Sequence, residues 1–122
     1  MDVVHKISVD LGREQIPPRI SAMQNDSARK IEVSLYENGV AWEFPAATTA
    51  YIAFKRPNEE NIRIANLSNG DPVVSVSGNV ASVSVPVELT AMCGIVPMVV
   101  VFLDGAGEQI ATFPISVTVV CN

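Results

Sequence analysis

Short segments in which apolar and polar side chains alternate constrain this chain more than any other feature. In the segments 30–36 and 49–55, every second residue is apolar. Side chains on a β-strand point to opposite faces in turn, so each segment has one apolar wall. These walls consist of Ile31, Val33 and Leu35 in the first segment, and of Ala50, Ile52 and Phe54 in the second. Two such walls predict the nucleus of a β-sandwich.

Turn-forming residues separate further segments of this kind along the whole chain. Asn38-Gly39, Ser77-Gly78 and Asp104-Gly105 each follow one apolar-patterned segment and precede another. One segment, 86–93, differs, because it begins with proline and is followed by Gly94, a pattern typical of a short helical turn. We therefore predict an all-β, immunoglobulin-like sandwich of about eight mostly antiparallel strands, forming a single domain over residues 1–122.

Composition and charge exclude several kinds of partner. The chain is 48% hydrophobic with mean hydropathy +0.30, yet its longest apolar runs are far shorter than the roughly 20 residues of a membrane helix. We expect no membrane segment and no secretion signal. A net charge of −5 with scattered basic residues argues against a nucleic-acid partner. So apolar a chain either has a large core or covers part of its surface with a partner.

The segment 98–103 is apolar at every position. A strand that is apolar on both faces is either central in a sheet or covered on its second face by a partner. On the second interpretation, Met98, Val100 and Phe102 are the candidate interface, since assembly surfaces are apolar. Pro114 interrupts the alternating segment 109–120, which predicts an edge position or a bulge there.

The residues that could carry chemistry are few and dispersed. His5 is the only histidine, and we place it on the polar side of the first strand with a surface role. Cys93 and Cys121 lack metal-ligand spacing; a disulfide is possible on count alone, but free thiols are the preferred interpretation. No Gly-x-Ser-x-Gly motif is present. We predict no enzymatic activity and no catalytic, cofactor-binding or metal-binding residues.

An adhesive or carbohydrate-binding sandwich domain of a cell surface is the alternative function. Such a domain usually needs an exposed aromatic platform, and the chain is only 6% aromatic. Trp42 lies between two predicted strands and close to Phe44. This position favours packing of the indole ring over a binding platform.

The order of several motifs resembles the N-terminal domain of baseplate upper proteins from phages of Gram-positive bacteria. The segment 25–29, Asn-Asp-Ser-Ala-Arg, is similar to the family's Gly-Asp-Thr/Ser followed by Arg. The segment 53–58 is similar to a Phe-Lys-Lys-Pro-Asp-Gly sequence, with Asn58-Glu59 where the family has Asp-Gly. The motif turn residues are Asp26, Ser27, Arg29, Lys55 and Pro57. All five are interpreted as turn chemistry, with Arg29 pairing to Asp26.

The resemblance implies a non-enzymatic assembly domain of a phage or prophage tail. In that family the domain attaches the upper baseplate protein to the central hub of the tail. The resemblance therefore implies other tail and baseplate proteins as partners, a homo-oligomer formed with copies of itself, and no cofactor. It also implies a location in the virion, after production in the bacterial cytoplasm.

Overall fold

The computed structural model describes residues 3–12, 17–26 and 29–121. These residues form ten β-strands and one short helix, so the all-β prediction is confirmed. The elements are β1 (Val3–Asp10), β2 (Arg19–Met23), β3 (Arg29–Glu37), β4 (Val40–Ala41), β5 (Thr49–Lys55), β6 (Asn61–Ile64), β7 (Val74–Ser77), β8 (Val80–Ser84), α1 (Val87–Thr90), β9 (Gly94–Leu103) and β10 (Gln109–Val120). The two-residue strand β4 was not predicted.

The strands form two sheets. Sheet A has the order β1-β3-β8-β7, with β4 paired to the end of β3, and sheet B has the order β2-β10-β9-β5-β6. The pairs β1–β3 and β2–β10 are parallel, and the other strand pairs in the described residues are antiparallel.

The inward faces of the two sheets share one hydrophobic core. Ile31, Val33 and Leu35 of β3 are fully buried, which confirms the first predicted wall. In sheet B, Ile52 and Phe54 are buried in the same core, and Ala50 is half-buried against it. The second predicted wall is therefore also confirmed, and the two walls belong to opposite sheets.

The segments β1 and β2 occupy edges of different sheets, and this division explains a proline in β10. Ser116 donates its N–H to the carbonyl oxygen of Pro18, so β2 begins beside Ser116. Because Pro114 lies two residues before Ser116, its backbone nitrogen points to the same side of β10 as the Ser116 N–H. At Pro114 this side has no strand partner in the described residues, since β2 begins only at Arg19, opposite Ser116. The predicted edge position of Pro114 is thus confirmed locally. A register shift lies at the beginning of β10, between Gln109 and Ala111.

The short helical turn predicted for 86–93 is confirmed as α1. Pro86 caps the helix instead of occupying its first turn, and the helix buries Leu89 and Thr90. Strand β9 begins at Gly94, earlier than the apolar run at 98–103 indicated. The sequence did not predict this early start, because Gly94 and Pro97 interrupt the strand pattern. No helix in the described ranges is both long and apolar enough to cross a membrane.

The prediction that Cys93 and Cys121 are free thiols is wrong. The two residues form a disulfide, with their Cα atoms 4.9 Å apart and a sequence separation of 28. The antiparallel register of β9 and β10 places Gly94 opposite Val119, so the residues beyond this pair are brought together. The pairing follows from strand register, which the positions of the cysteines do not reveal.

Candidate interaction surface

The residues assigned from the sequence as the interface lie in the core. Met98, Val100 and Phe102 are fully buried, and the Phe102 ring centre is 4.7 Å from that of Phe44. They are inward residues of β9, which lies centrally in sheet B between β10 and β5. In this fold their side chains offer no surface to a partner. The first interpretation of the apolar run, a central strand, accounts for them.

The alternate residues of β9 face outward, and Ile95, Pro97 and Val99 among them remain accessible. Ile95 is 68% exposed and Val99 is 38% exposed, with Pro97 also exposed between them. Because side chains alternate along a strand, an interface on β9 has to use these residues and not Met98 or Val100. The sequence analysis did not identify Ile95 and Pro97. The apolar run extends back to residue 95, and the residues on its other face include these two.

The exposed apolar residues of β9 continue onto β10 and β2. Val120 and Met23 are 46% and 40% exposed and lie opposite each other in the parallel pair. Of the seven large hydrophobic residues exposed in the described ranges, four lie on this side of sheet B: Met23, Ile95, Val99 and Val120. We call the outward side chains of β2, β10, β9, β5 and β6 the sheet B face.

The charges on the sheet B face are all positive. The chain has 13 acidic residues, but the five strands of sheet B contain no aspartate or glutamate. The outward charges are Arg19 on β2, Lys55 on β5 and Arg63 on β6. Arg63 lies over the Tyr51 ring, with its guanidinium carbon 3.6 Å from the ring centre, an attractive cation–π arrangement. The face is therefore apolar along β9, carries hydroxyl side chains of β10 beside it, and is cationic at its edges.

The outward face of sheet A is different in character. It carries the ion pair of Lys6 and Glu32, with Nζ and Oε2 4.0 Å apart. The neighbouring strands β7 and β8 place serines outward, including Ser75, Ser82 and Ser84. Such alternation of apolar inward and polar outward residues is typical of a sheet that faces water on one side. Sheet B departs from this pattern along β9, where the exposed residues Ile95, Pro97 and Val99 are apolar as well. An exposed apolar patch of this kind is typical of a protein-binding surface.

Two hollows on the surface of the described residues differ in their lining. One of about 390 Å³ lies on the sheet B face, where Ala53, Pro97 and Val99 line it together with Arg63. A larger cleft of about 620 Å³ lies elsewhere, and side chains of both charge signs line it, among them Arg29, Lys30, Asp71 and Glu88. Only the smaller hollow combines apolar walls with the positive charge of the sheet B face.

The first family-motif turn centres on Asp26. Its carboxylate accepts hydrogen bonds from Arg29 Nε at 2.7 Å and from the Met23 N–H at 3.0 Å. The Arg29 hydrogen bond, with the Met23 N–H second, holds the pKa of Asp26 below its ordinary value. The predicted pairing of Arg29 with Asp26 is confirmed. Ser27, the third motif residue, lies outside the described residues.

This turn also fastens α1 and the end of β10. The buried hydroxyl of Thr90 donates to the carbonyl oxygen of Asp26 at 2.6 Å, and the Asn25 N–H donates to the carbonyl oxygen of Thr90 at 2.9 Å. Gln24 donates its N–H to the carbonyl oxygen of Val120 at 2.9 Å. These bonds give the turn a structural role, in agreement with its interpretation as turn chemistry.

His5 lies on the inward side of β1, which differs from the polar side expected for it. It alternates with Ile7 and Val9 and is half-buried. Its Nε2 atom is 3.0 Å from Arg29 Nη1. Since a guanidinium only donates, the imidazole nitrogen accepts this hydrogen bond. His5 therefore helps to hold Arg29 in place.

The second motif turn follows β5. Lys55 pairs with Glu59, and Arg56 Nη1 lies 3.7 Å from Glu60 Oε2. Pro57 packs against the start of β9, where a Cβ added to Gly94 would lie 3.0 Å from the proline Cγ. Lys55 and Pro57 thus shape the turn that borders the sheet B face.

Trp42 packs as the sequence predicts. Its ring meets the Phe44 ring edge-on, with centres 5.1 Å apart, and the side chain is half-buried against the core. Through Phe44 and Phe102 the ring is connected to the centre of the sandwich. Part of the indole surface is therefore taken up by packing against the core, in agreement with the predicted packing role.

Comparison with known proteins bears on the fold. No family model matches the chain, and no curated protein sequence matches it. Among solved structures, the chain is similar to the N-terminal domain of phage TP901-1 ORF48, with a TM-score of 0.60 and 11% sequence identity. The similarity covers 96% of this chain and 98% of that chain. At this identity the likeness establishes a shared fold.

Proposed function

We propose that the chain is a non-enzymatic structural module of a phage or prophage tail baseplate, which attaches to other tail proteins through the sheet B face. The observation that carries the proposal is the fold likeness to a domain of a phage protein over 96% of this chain. The order of the turn motifs at residues 25–29 and 53–58 supports the same assignment independently of the strand arrangement.

The sheet B face provides a physical means of attachment. Removing apolar surface from water contributes about 25 cal/mol per Å², which is partly offset by the freedom that the two proteins lose on binding. Ile95, Val99 and Val120 expose such surface on adjacent central strands, which a packed sandwich holds in a fixed arrangement. A rigid surface loses little conformational entropy on binding. In the described residues, the outward face of sheet A carries serines and a charged pair and exposes less apolar surface, mainly that of Val4.

The partners that fit this role are other proteins of the tail, among them a central hub. The corresponding location is the virion. Self-association into a homo-oligomer stays a prediction of the family resemblance, and nothing in the geometry of one chain tests it.

Binding to tail proteins tests the proposal. The full chain would be mixed with each purified protein encoded in the same tail-assembly cluster, and the mixtures measured by light scattering behind a sizing column. We expect a stable complex with at least one of them, and we expect the chain to be detected by mass spectrometry in purified virions. A chain that is missing from virions and binds none of these proteins would contradict the proposal.

A further inference from the structure

We infer that the sheet B face binds a protein surface that is apolar at its centre and carries carboxylates at its rim, and that a second copy of this chain is not its occupant. This inference rests on the proposed function and adds the chemistry of the partner to it.

The positions of the two arginines define the rim. Arg19 lies on β2 and Arg63 on β6, the two edge strands of sheet B. Four strand spacings of about 4.8 Å separate these edges, so the charges are roughly 19 Å apart across the face. Neither arginine forms an ion pair with any residue in the described part of the chain. Both are therefore available to a carboxylate of a partner.

The structure favours Arg63 as a specific contact point. Its guanidinium lies on the Tyr51 ring, which restricts its orientation while leaving its N–H groups free to donate. Beside it, Pro97, Val99 and Ala53 line the hollow of about 390 Å³. This arrangement suits an apolar side chain that enters the hollow while an adjacent carboxylate binds Arg63.

The same charges oppose binding of a second copy. Consider two copies that meet through this face with their strands aligned and a two-fold axis between them. If the axis is perpendicular to the strands, β2 lies over β2 of the other copy; if it is parallel to them, β2 lies over β6. Arg19 and Arg63 lie level with Pro97 and Val99 of β9, so two faces that overlap about this level bring arginines of the two copies close together in both arrangements. The strands of this face carry no acidic residue to offset them. Like charges across an interface reduce affinity and disfavour that partner.

The test uses the tail protein that forms a complex with the full chain in the light-scattering experiment. Its affinity would be measured by calorimetric titration with the wild type, with Arg19→Glu/Arg63→Glu, and with Ile95→Ser/Val99→Ser. The matched control is Val4→Ser/Lys6→Glu, which makes the same kinds of change on the outward face of sheet A, where Val4 is 44% exposed. Thermal unfolding of each variant would verify that it is folded.

We expect each pair of changes on the sheet B face to weaken binding at least tenfold, and the control to change it less than threefold. Added salt should weaken binding of the wild type more than that of the arginine variant. A complex that is insensitive to all sheet B variants would overturn this inference and attachment through the sheet B face, and would leave the proposed role as a structural module of the tail standing. A wild-type dimer that Ile95→Ser/Val99→Ser dissociates would also overturn it, by identifying a second copy as the occupant. If no tail protein binds, both proposals fail.

Discussion

Two residues hold left-handed backbone conformations at the turns that carry the family resemblance. Asn25 has φ +70° and Glu59 has φ +69°, and the family has glycine at both positions. Asparagine adopts this conformation at little cost, whereas a longer side chain is strained there by roughly 1–2 kcal/mol. The first departure from the family pattern therefore preserves the turn, and the second does so at a cost in stability.

We expect Glu59→Gly to raise the free energy of unfolding by about 0.5–1 kcal/mol, because glycine relieves the strain but also loses more entropy on folding. Urea denaturation measures the change. Glu59→Ala is the matched control, since it removes the same ion pair with Lys55 but retains the Cβ atom. An alanine variant as stable as the glycine variant would show that the backbone conformation is not the cause.

We expect Asp26→Asn to destabilise the fold at neutral pH and to have less effect in acid. Arg29 lowers the pKa of Asp26 below 3.8 in the folded state, so near this pH the unfolded chain binds more protons. The stability contributed by the carboxylate is present above the unfolded pKa and is lost as pH falls through the folded pKa. Denaturation at pH 7 and at pH 3 should show a large and a small difference between variant and wild type. A difference independent of pH would exclude the carboxylate charge as the cause.

At the scale of secondary-structure elements, β9 has two faces with opposite roles. We expect Phe102→Ala, in the fully buried inward row, to cost about 3–5 kcal/mol of stability. Val99→Ser, in the outward row, should change it by no more than about 0.5 kcal/mol. Chemical denaturation of the free chain measures both. Equal effects would contradict the register of β9 in sheet B, on which the location of the interface depends.

The disulfide joins the end of β10 to the segment between α1 and β9. Cross-linking residues 28 apart in sequence removes chain entropy from the unfolded state worth roughly 3–4 kcal/mol. We expect reduction, or the double variant Cys93→Ala/Cys121→Ala, to lower the free energy of unfolding by about this amount. A reducing agent should have no further effect on the double variant. A wild type that is equally stable when reduced would contradict a structural role for the bond.

The alternating patterns predicted local faces well and long-range pairing poorly. The inward rows of β3, β8 and β10 follow from alternation, because a sheet with one wet face requires it. The parallel pairing of β1 with β3 and of β2 with β10 leaves no local signal in the sequence, since it depends on which sheet edges are free. The disulfide of Cys93 and Cys121 was missed for the same reason.

The interface prediction selected the inward row of β9, which is offset by one residue from the outward row that is exposed. Met98, Val100 and Phe102 are apolar, as are the residues between them, so composition could not distinguish the inward from the outward row. That decision depends on the side of sheet B on which sheet A packs. Met23 and Val120, on β2 and at the end of β10, join the surface only through the tertiary pairing of these strands.

At the scale of the whole molecule, the two outward faces divide their roles. The face of sheet A mixes both charge signs with serines and suits contact with water. The sheet B face combines exposed aliphatic side chains with basic residues alone, in a chain whose net charge is −5. This asymmetry supports the proposal that the module attaches through one side. The inference above implies that a homo-oligomer forms through another surface. Sedimentation velocity of the chain alone tests whether it self-associates.

Oxidation of methionine by dilute peroxide, read by mass spectrometry, tests the central claim most directly. Met23 is 40% exposed on the sheet B face, while Met98 is fully buried in the core and serves as an internal control. In the free chain we expect Met23 to oxidise rapidly and Met98 to resist. In the purified virion, or in the complex with a tail protein, Met23 should be protected at least fivefold. Oxidation of Met23 at the same rate in the free and assembled chain would contradict attachment through this face.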